Sequence, residues 1–262
     1  MTDWFYAALL GLIEGITEFL PVSSTGHLLI AENLLGRHYT DLFNTVIQSG
    51  AVLAVLVVFA SRVRTLLTQW NEPVQRDYLL KLATAFIITA IGGLALKNAG
   101  MKLPKNLAPV AWATLAGGIL FVALEVRLKN RPGSDSITWL IAIAVAGGQL
   151  IAAAFPGASR SGTTILLALA FGLSRAAATE FSFLLGIPTL MAAGAKETLD
   201  ALRHPSPHEP IALIAFAGAI AAITAFVAVR WLLNYVRSHS FTAFGWYRIV
   251  AGILLLALAY RS

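Results

Sequence analysis

Glu14 and Glu18 stand four residues apart in the segment EGITEFLPVSSTGH, with Ser23, Ser24, Thr25 and His27 directly after them. On a helix, that spacing puts both carboxylates on one face. Neighbouring carboxylates repel unless something positive lies between them. Hard oxygen ligands of this kind suit a divalent cation, Mg²⁺ or Ca²⁺, and Mg²⁺ commonly takes one or two carboxylates plus phosphate oxygens. The same pair would be at ease at a water interface, but the runs on either side, WFYAALLGLI and LLIAENLL, are apolar. A helix beginning near Ser24 would place Ser24 and His27 on one face at i, i+3. Two chemistries are then open. Ser24 is a nucleophile with His27 as its base, or Ser24 binds phosphate while His27 moves the proton of water or leaving group. The other histidines, His38, His204, His208 and His239, fall in loops, where a solvated role is expected.

A second polar segment, PGASRSGTT, supplies the opposite charge. It sets Arg160 among Ser159, Ser161, Thr163 and Thr164, with Gly157 and Gly162 loosening the backbone. A guanidinium matches phosphate oxygens bidentately. The apolar run ILLALAF that follows predicts a helix whose N-terminus points its partial positive charge at the segment. The plainer use of these residues is a serine-rich helix cap whose arginine reaches lipid headgroups. Taken together, the two segments offer carboxylates for a metal, an arginine for phosphate and a hydroxyl–imidazole pair for transfer. The reaction that fits is phosphoryl hydrolysis on a membrane-bound substrate, where positioning and charge neutralisation carry the catalysis.

The elements that must position these groups are membrane helices. Of 262 residues, 58% are hydrophobic and 12% charged, with mean hydropathy +0.75, against about 25% charged in an ordinary soluble domain. There is no cysteine, which excludes disulfides and thiol chemistry. The net charge of +6 does not indicate nucleic acid, since Lys and Arg lie mostly in short loops between apolar runs. Six runs are long enough to span: 42–60, 79–97, 107–126, 180–198, 210–231 and 244–260. The loops between them include RVRTLLTQWNEPVQRD. Residues 4–36 and 137–172 are each broken midway by a polar, proline-containing stretch, and read better as hairpins that dip into the bilayer and return.

The expected fold is therefore an all-α integral membrane protein forming one membrane domain, 1–262. It divides into two halves, 1–126 and 137–262, each a re-entrant hairpin plus three transmembrane helices. A shift of 135 residues lays Pro156 on Pro21, Ser159 on Ser24 and Gln149 on Glu14, and a shift of 138 lays Phe181 on Phe43. Three spans per half make the second copy inverted, as in proteins with binding sites at the bilayer midplane. One side would carry Arg62, Arg64, Arg76, Arg127, Lys129, Arg131, Arg175 and Arg237. The other would carry Arg37, Lys97, Lys102, Lys105, Arg203 and Arg261. The bias favours the first side as cytoplasmic, with both termini outside. Such a frame would also suit a flippase for lipid phosphates. The carboxylates beside Ser24 and His27 favour an enzyme, because an anion carrier gains little from added negative charge.

The sequence also resembles the bacitracin-resistance type of undecaprenyl-diphosphate phosphatase. The resemblance rests on EGITEFLPVSSTGH, PGASRSGTT, SRAAATEFSFLLGIP and the F-x-x-x-I-Q stretch from Phe43 to Gln48, and covers essentially the whole chain. It implies Glu14, Glu18, Ser24, His27 and Arg160 as functional residues, the carboxylates serving a divalent cation. Ser23, Thr25, Gln48, Gly157, Ser159, Ser161, Gly162, Thr163 and Thr164 complete the expected substrate-binding set. It further implies removal of the terminal phosphate of a C55 polyprenyl diphosphate carrier at the outer face of the bacterial cytoplasmic membrane. The lipid substrate and membrane lipids are the expected partners, with a homodimer also allowed. A local likeness of STGH to type-2 phosphatidate phosphatases goes no further. Position 124 is Leu where that family needs Lys before its Arg-Pro pair, and no His follows Ser159-Arg160 or Ser174-Arg175 at the required spacing.

Overall fold

The computed structural model describes residues 2–100, 107–129, 133–203 and 209–260. Lys102, Lys105, Arg131 and Arg261 of the loop-charge argument, and His204 and His208, lie outside the described residues. The chain runs through α1 (Thr2–Thr17), α2 (Ser24–Leu35), α3 (Asp41–Val58), α4 (Ala60–Thr68), α5 (Pro73–Asn98) and α6 (Leu107–Leu128). It continues through α7 (Trp139–Ala154), α8 (Arg160–Ala170), α9 (Arg175–Arg203), α10 (Ile211–Tyr235) and α11 (Thr242–Ala259). Helices α3, α5, α6, α9, α10 and α11 are long and apolar enough to cross a membrane, and they coincide with the six expected spans. Several boundaries differ, and α9 extends beyond its expected run at both ends. The stretch expected to be loop after the first span holds α4, because Val63 and Leu66 pack inward at helical spacing while Arg64 stays exposed and Arg62 turns to Glu180. Helix α5 begins six residues before its apolar run, at Pro73, whose fixed φ suits a first helical turn.

The two broken segments are the helix pairs α1–α2 and α7–α8. Both breaks end with the same local device. Ser23 has φ 75° and its Oγ accepts from the Gly26 N–H; Ser159 has φ 68° and its Oγ accepts from the Gly162 N–H. Positive φ is costly for a residue with a Cβ, so each serine combines a strained backbone with an N-cap. The two capping serines lie 136 residues apart (159 − 23), and Ser24 and Arg160 are each the first residue of their helix.

Small residues let the backbones close in. A Cβ at Gly11 or Gly15 would collide with the carbonyls of Ala217 or Ala221, so α1 lies directly on α10. Helices α6 and α11 approach in the same way, and α3 packs between α9 and α10. Loop charges are tied at helix ends. Arg62 Nε donates to Glu180 at 2.9 Å, and Arg175 grips the buried Glu125, which also accepts from the Phe241 N–H at 2.8 Å. Ser174 Oγ accepts from the Ala177 N–H, capping α9. Arg175 thus holds a carboxylate that would otherwise be buried unpaired. Arg175→Ala is expected to lower unfolding stability by about 2–3 kcal/mol, below the about 3–5 of a fully buried pair because Arg175 is partly exposed. Turnover per folded molecule should stay normal. Thermal unfolding followed alongside phosphate release checks both halves of this statement.

Candidate active site

The first break delivers Glu18 just past the end of α1, where its N–H still donates to Glu14 O at 2.9 Å. Both carboxylates therefore keep the helical i, i+4 relation, and both are buried. The second break delivers Arg160, and Glu18 joins the two. Its Oε1 accepts from Arg160 Nη2 at 3.0 Å and its Oε2 accepts from Ser24 Oγ at 2.6 Å. Ser161 Oγ lies within 3.2 Å of Glu18 O and 3.1 Å of Leu20 O, stitching the second break to the first. The Arg160 guanidinium lies 5.3 Å over the Phe19 ring. Gly186 on α9 makes room for it, since a Cβ there would fall on Nη1.

Polar atoms are left over in the middle of this cluster. Both oxygens of Glu14, and Nε and Nη1 of Arg160, are buried and without a hydrogen-bond partner. Buried polar groups are seldom left so, and unpaired acceptors beside unpaired donors define a place for a ligand with both kinds of partner. A diphosphate with a divalent cation meets that description. The residues also fit the cation on their own chemistry: two carboxylates, one with both oxygens free, are hard donors of the type Mg²⁺ and Ca²⁺ take. Among the described residues no third His, Asp or Glu completes a metal cluster. Phosphate oxygens and water would have to supply the remaining positions. The first N–H groups of α2 and α8 add an anion-binding field from both breaks.

His27 is placed differently from the expectation. It does not bond Ser24, whose hydroxyl is turned to Glu18. Its Nδ1 lies 2.7 Å from Ser23 O and its Nε2 meets the Tyr247 hydroxyl, with the two rings stacked. A carbonyl can only accept, so Nδ1 carries the proton and Nε2 accepts from Tyr247. The i, i+3 spacing put both residues on one side of α2 without setting which neighbour each would choose. A charged acceptor close by outcompetes the imidazole for the Ser24 proton.

The remaining expected residues divide. Ser23 and Ser159 cap their helices, and Ser161 bridges the breaks. Thr163 Oγ bonds Gly148 O on α7 at 2.9 Å and Thr164 Oγ lies 2.6 Å from Ser182 Oγ on α9, so both threonines are engaged with the scaffold. Gly157, at φ 96°, presses its backbone on Val110 of α6, and Gly162 donates to the Ser159 cap. Thr25 is exposed, and Gln48, half-buried on α3, makes no side-chain hydrogen bond to the cluster. Sequence reasoning passed over Tyr247, Gly186 and Arg248. Arg248 was findable: it is the lone charge of α11, and an ionisable residue inside an apolar span is a functional candidate. Tyr247 and Gly186 carry no such signal.

The family model described as bacitracin resistance protein BacA matches residues 7–254. Among curated relatives, a protein from Rhizobium johnstonii is 50% identical over 98% of this chain and 97% of its own. One from Rhizobium etli is 51% identical over 98% and 97%, and one from Xylella fastidiosa 48% identical over 98% of each chain. All three are named undecaprenyl-diphosphatase. With the match covering nearly its whole length, this chain belongs to the bacitracin resistance protein BacA family.

Proposed function

We propose that the chain hydrolyses undecaprenyl diphosphate to undecaprenyl phosphate and inorganic phosphate, recycling the lipid carrier of cell-wall synthesis and thereby opposing bacitracin. The observation that carries this reading is the buried Glu18–Arg160–Ser24 cluster with the unpaired Glu14 carboxylate beside it. Arg160 holds the terminal phosphate through its free Nε and Nη1 donors, assisted by the first N–H groups of α8. Ser24 Oγ attacks the terminal phosphorus as its proton passes to Glu18. The P–O bond to the bridging oxygen breaks, and the lipid monophosphate leaves. Water then opens the phosphoserine, its proton passing to His27 Nε2 once the Tyr247 hydroxyl gives way, and Ser24 recovers its proton from Glu18. A divalent cation held by Glu14 and Glu18, when bound, would neutralise charge on the diphosphate oxygens.

The frame of this reaction is an inverted repeat of two re-entrant hairpins meeting inside the bilayer. Its support is the exchange of neighbours between halves. Helix α1 packs on α10 as α7 packs on α5, and α3 meets α10 as α9 meets α5, while α3–α9 and α6–α11 are self-related. We place the enzyme in the bacterial inner membrane with the site opening to the outer side, the side opposite Arg62, Arg175 and Arg237.

Release of inorganic phosphate from a polyprenyl diphosphate by the purified protein in detergent tests the function, because no transport is possible there. Chelator should abolish release, and Mg²⁺ or Ca²⁺ should restore it. Glu14→Gln should raise the metal concentration for half-maximal rate by at least about tenfold, the equivalent of about 1.4 kcal/mol of binding. An unchanged metal requirement in Glu14→Gln would assign that carboxylate to another task.

A further inference from the structure

Arg248, on α11, is fully buried and has no carboxylate partner. Its donors go instead to five backbone carbonyls on three different parts of the chain. Nε donates to Thr114 O at 3.3 Å and Nη2 to Ala113 O at 3.4 Å, both on α6. Nη1 donates to Pro21 O at 3.2 Å, in the first break. Nη2 also reaches Gly157 O at 3.2 Å and Ala158 O at 2.9 Å, in the second break. Burying an uncompensated guanidinium is costly, and it is tolerated only where its surroundings satisfy it. Here three of the five bonds go to the backbone beside a strained serine, and the other two tie the guanidinium to α6. Pro21 lies two residues before Ser23 and Ala158 directly before Ser159, the only non-glycine residues with positive φ among those described. Strain of this kind persists only where neighbouring structure holds it.

We propose that Arg248 is a positioning residue: one guanidinium braces both breaks against α6, fixing the two strained serine caps and so the separation of Ser24 from Arg160 across Glu18. The proposal rests on the hydrolase reading for its kinetic consequence, but its geometric consequence stands alone. A fork of five N–H groups can span three backbone segments at once, whereas a lysine ammonium is a single point donor. The glycines around it fit this role. A Cβ at Gly117 on α6 would fall on Nη2, and the guanidinium could clear it only by leaving its carbonyls.

The absence of cysteine makes a direct test available in the full-length protein. Spin labels on cysteines at Ile16 and Phe155, exposed positions at the ends of α1 and α7, report the distance between the breaks. The unaltered brace should give one narrow distance distribution. Arg248→Gln and Arg248→Lys should both broaden it and both lower kcat by about 10²-fold, the scale of an ångström of misplacement, with KM little changed. A loss of folded protein alone would lower yield but leave kcat per folded molecule normal and the distance distribution of the folded fraction narrow. Gly117→Ala, which keeps the arginine but displaces it, should act in the same direction. A folded Arg248→Gln protein with normal kcat and a narrow distribution would overturn the proposal. Full recovery in Arg248→Lys would also overturn it, by making charge and not bracing the cause. Should Arg248→Gln fail to fold, normal kcat and a narrow distribution in Gly117→Ala would overturn it. Absence of phosphate release by the unsubstituted protein would instead defeat the hydrolase reading, leaving the spin-label result to judge the brace.

Discussion

Breaking the Glu18–Arg160 contact from the Glu18 side is expected to cost about 10²–10⁴ in turnover. In Glu18→Gln the carboxylate that accepts from both Ser24 and Arg160 becomes an amide with a single acceptor oxygen. Its amino group then faces one of two donors. One hydrogen bond to a charged group, worth about 1.5–3 kcal/mol, is lost outright, and with it the base proposed to take the Ser24 proton, a contribution of typically about 10²–10⁴. The side chain is buried, so water does not repair the loss. Arg160→Lys should be nearly as damaging from the other side. An ammonium keeps the charge, but it cannot hold Glu18 and offer two further donors to phosphate. Initial rates of phosphate release, on protein shown to keep its unfolding temperature, make the measurement. Near-normal turnover in both variants would remove this pair from the chemistry.

The helices were legible because bilayer thickness imposes one strong pattern, about 20 apolar residues per span. The six spans and both broken segments follow from it directly. Helix α4 was not legible, because nine residues with two arginines look the same as a basic loop when only hydropathy is read. Within the site, residue types were readable and partners were not. The carboxylates, Ser24 and Arg160 are conspicuous in a chain this apolar, and they do meet. Which hydroxyls face a ligand depends on helix rotation and on what packs behind. Thr163 and Thr164 look identical to Ser161 in the motif, yet they bond α7 and α9. Arg248 was missed for a related reason. Counting charges by loops discards those that sit inside spans, Lys81, Lys196, Arg230 and Arg248 alike. The carbonyl partners of Arg248 leave no mark in sequence, since any residue provides a backbone oxygen.

Ser24→Ala is expected to lower turnover by at least about 10³-fold, because the substitution removes the attacking atom. A smaller loss, of roughly tenfold to a hundredfold, would match a hydrogen bond to a charged phosphate and nothing more. The geometry sets the two candidates for proton transfer apart. Ser24 Oγ donates to Glu18, and His27 Nε2 faces Tyr247; the proposed mechanism accordingly gives the serine proton to Glu18 and the water proton to His27. His27→Ala should then cost about 10²–10⁴, the usual contribution of a placed acid–base group, while leaving the first step able to proceed. In that variant phosphoserine should accumulate at Ser24 and be recoverable after acid quench. Oxygen-18 water cannot separate the routes, since label reaches phosphate in either case. Stereochemistry at a chiral thiophosphate can, because two successive displacements retain configuration and a single one inverts it. Retention is the expected result. Inversion would mean that water attacks the diphosphate directly, that Ser24 only orients it, and that no phosphoserine should build up when His27 is removed.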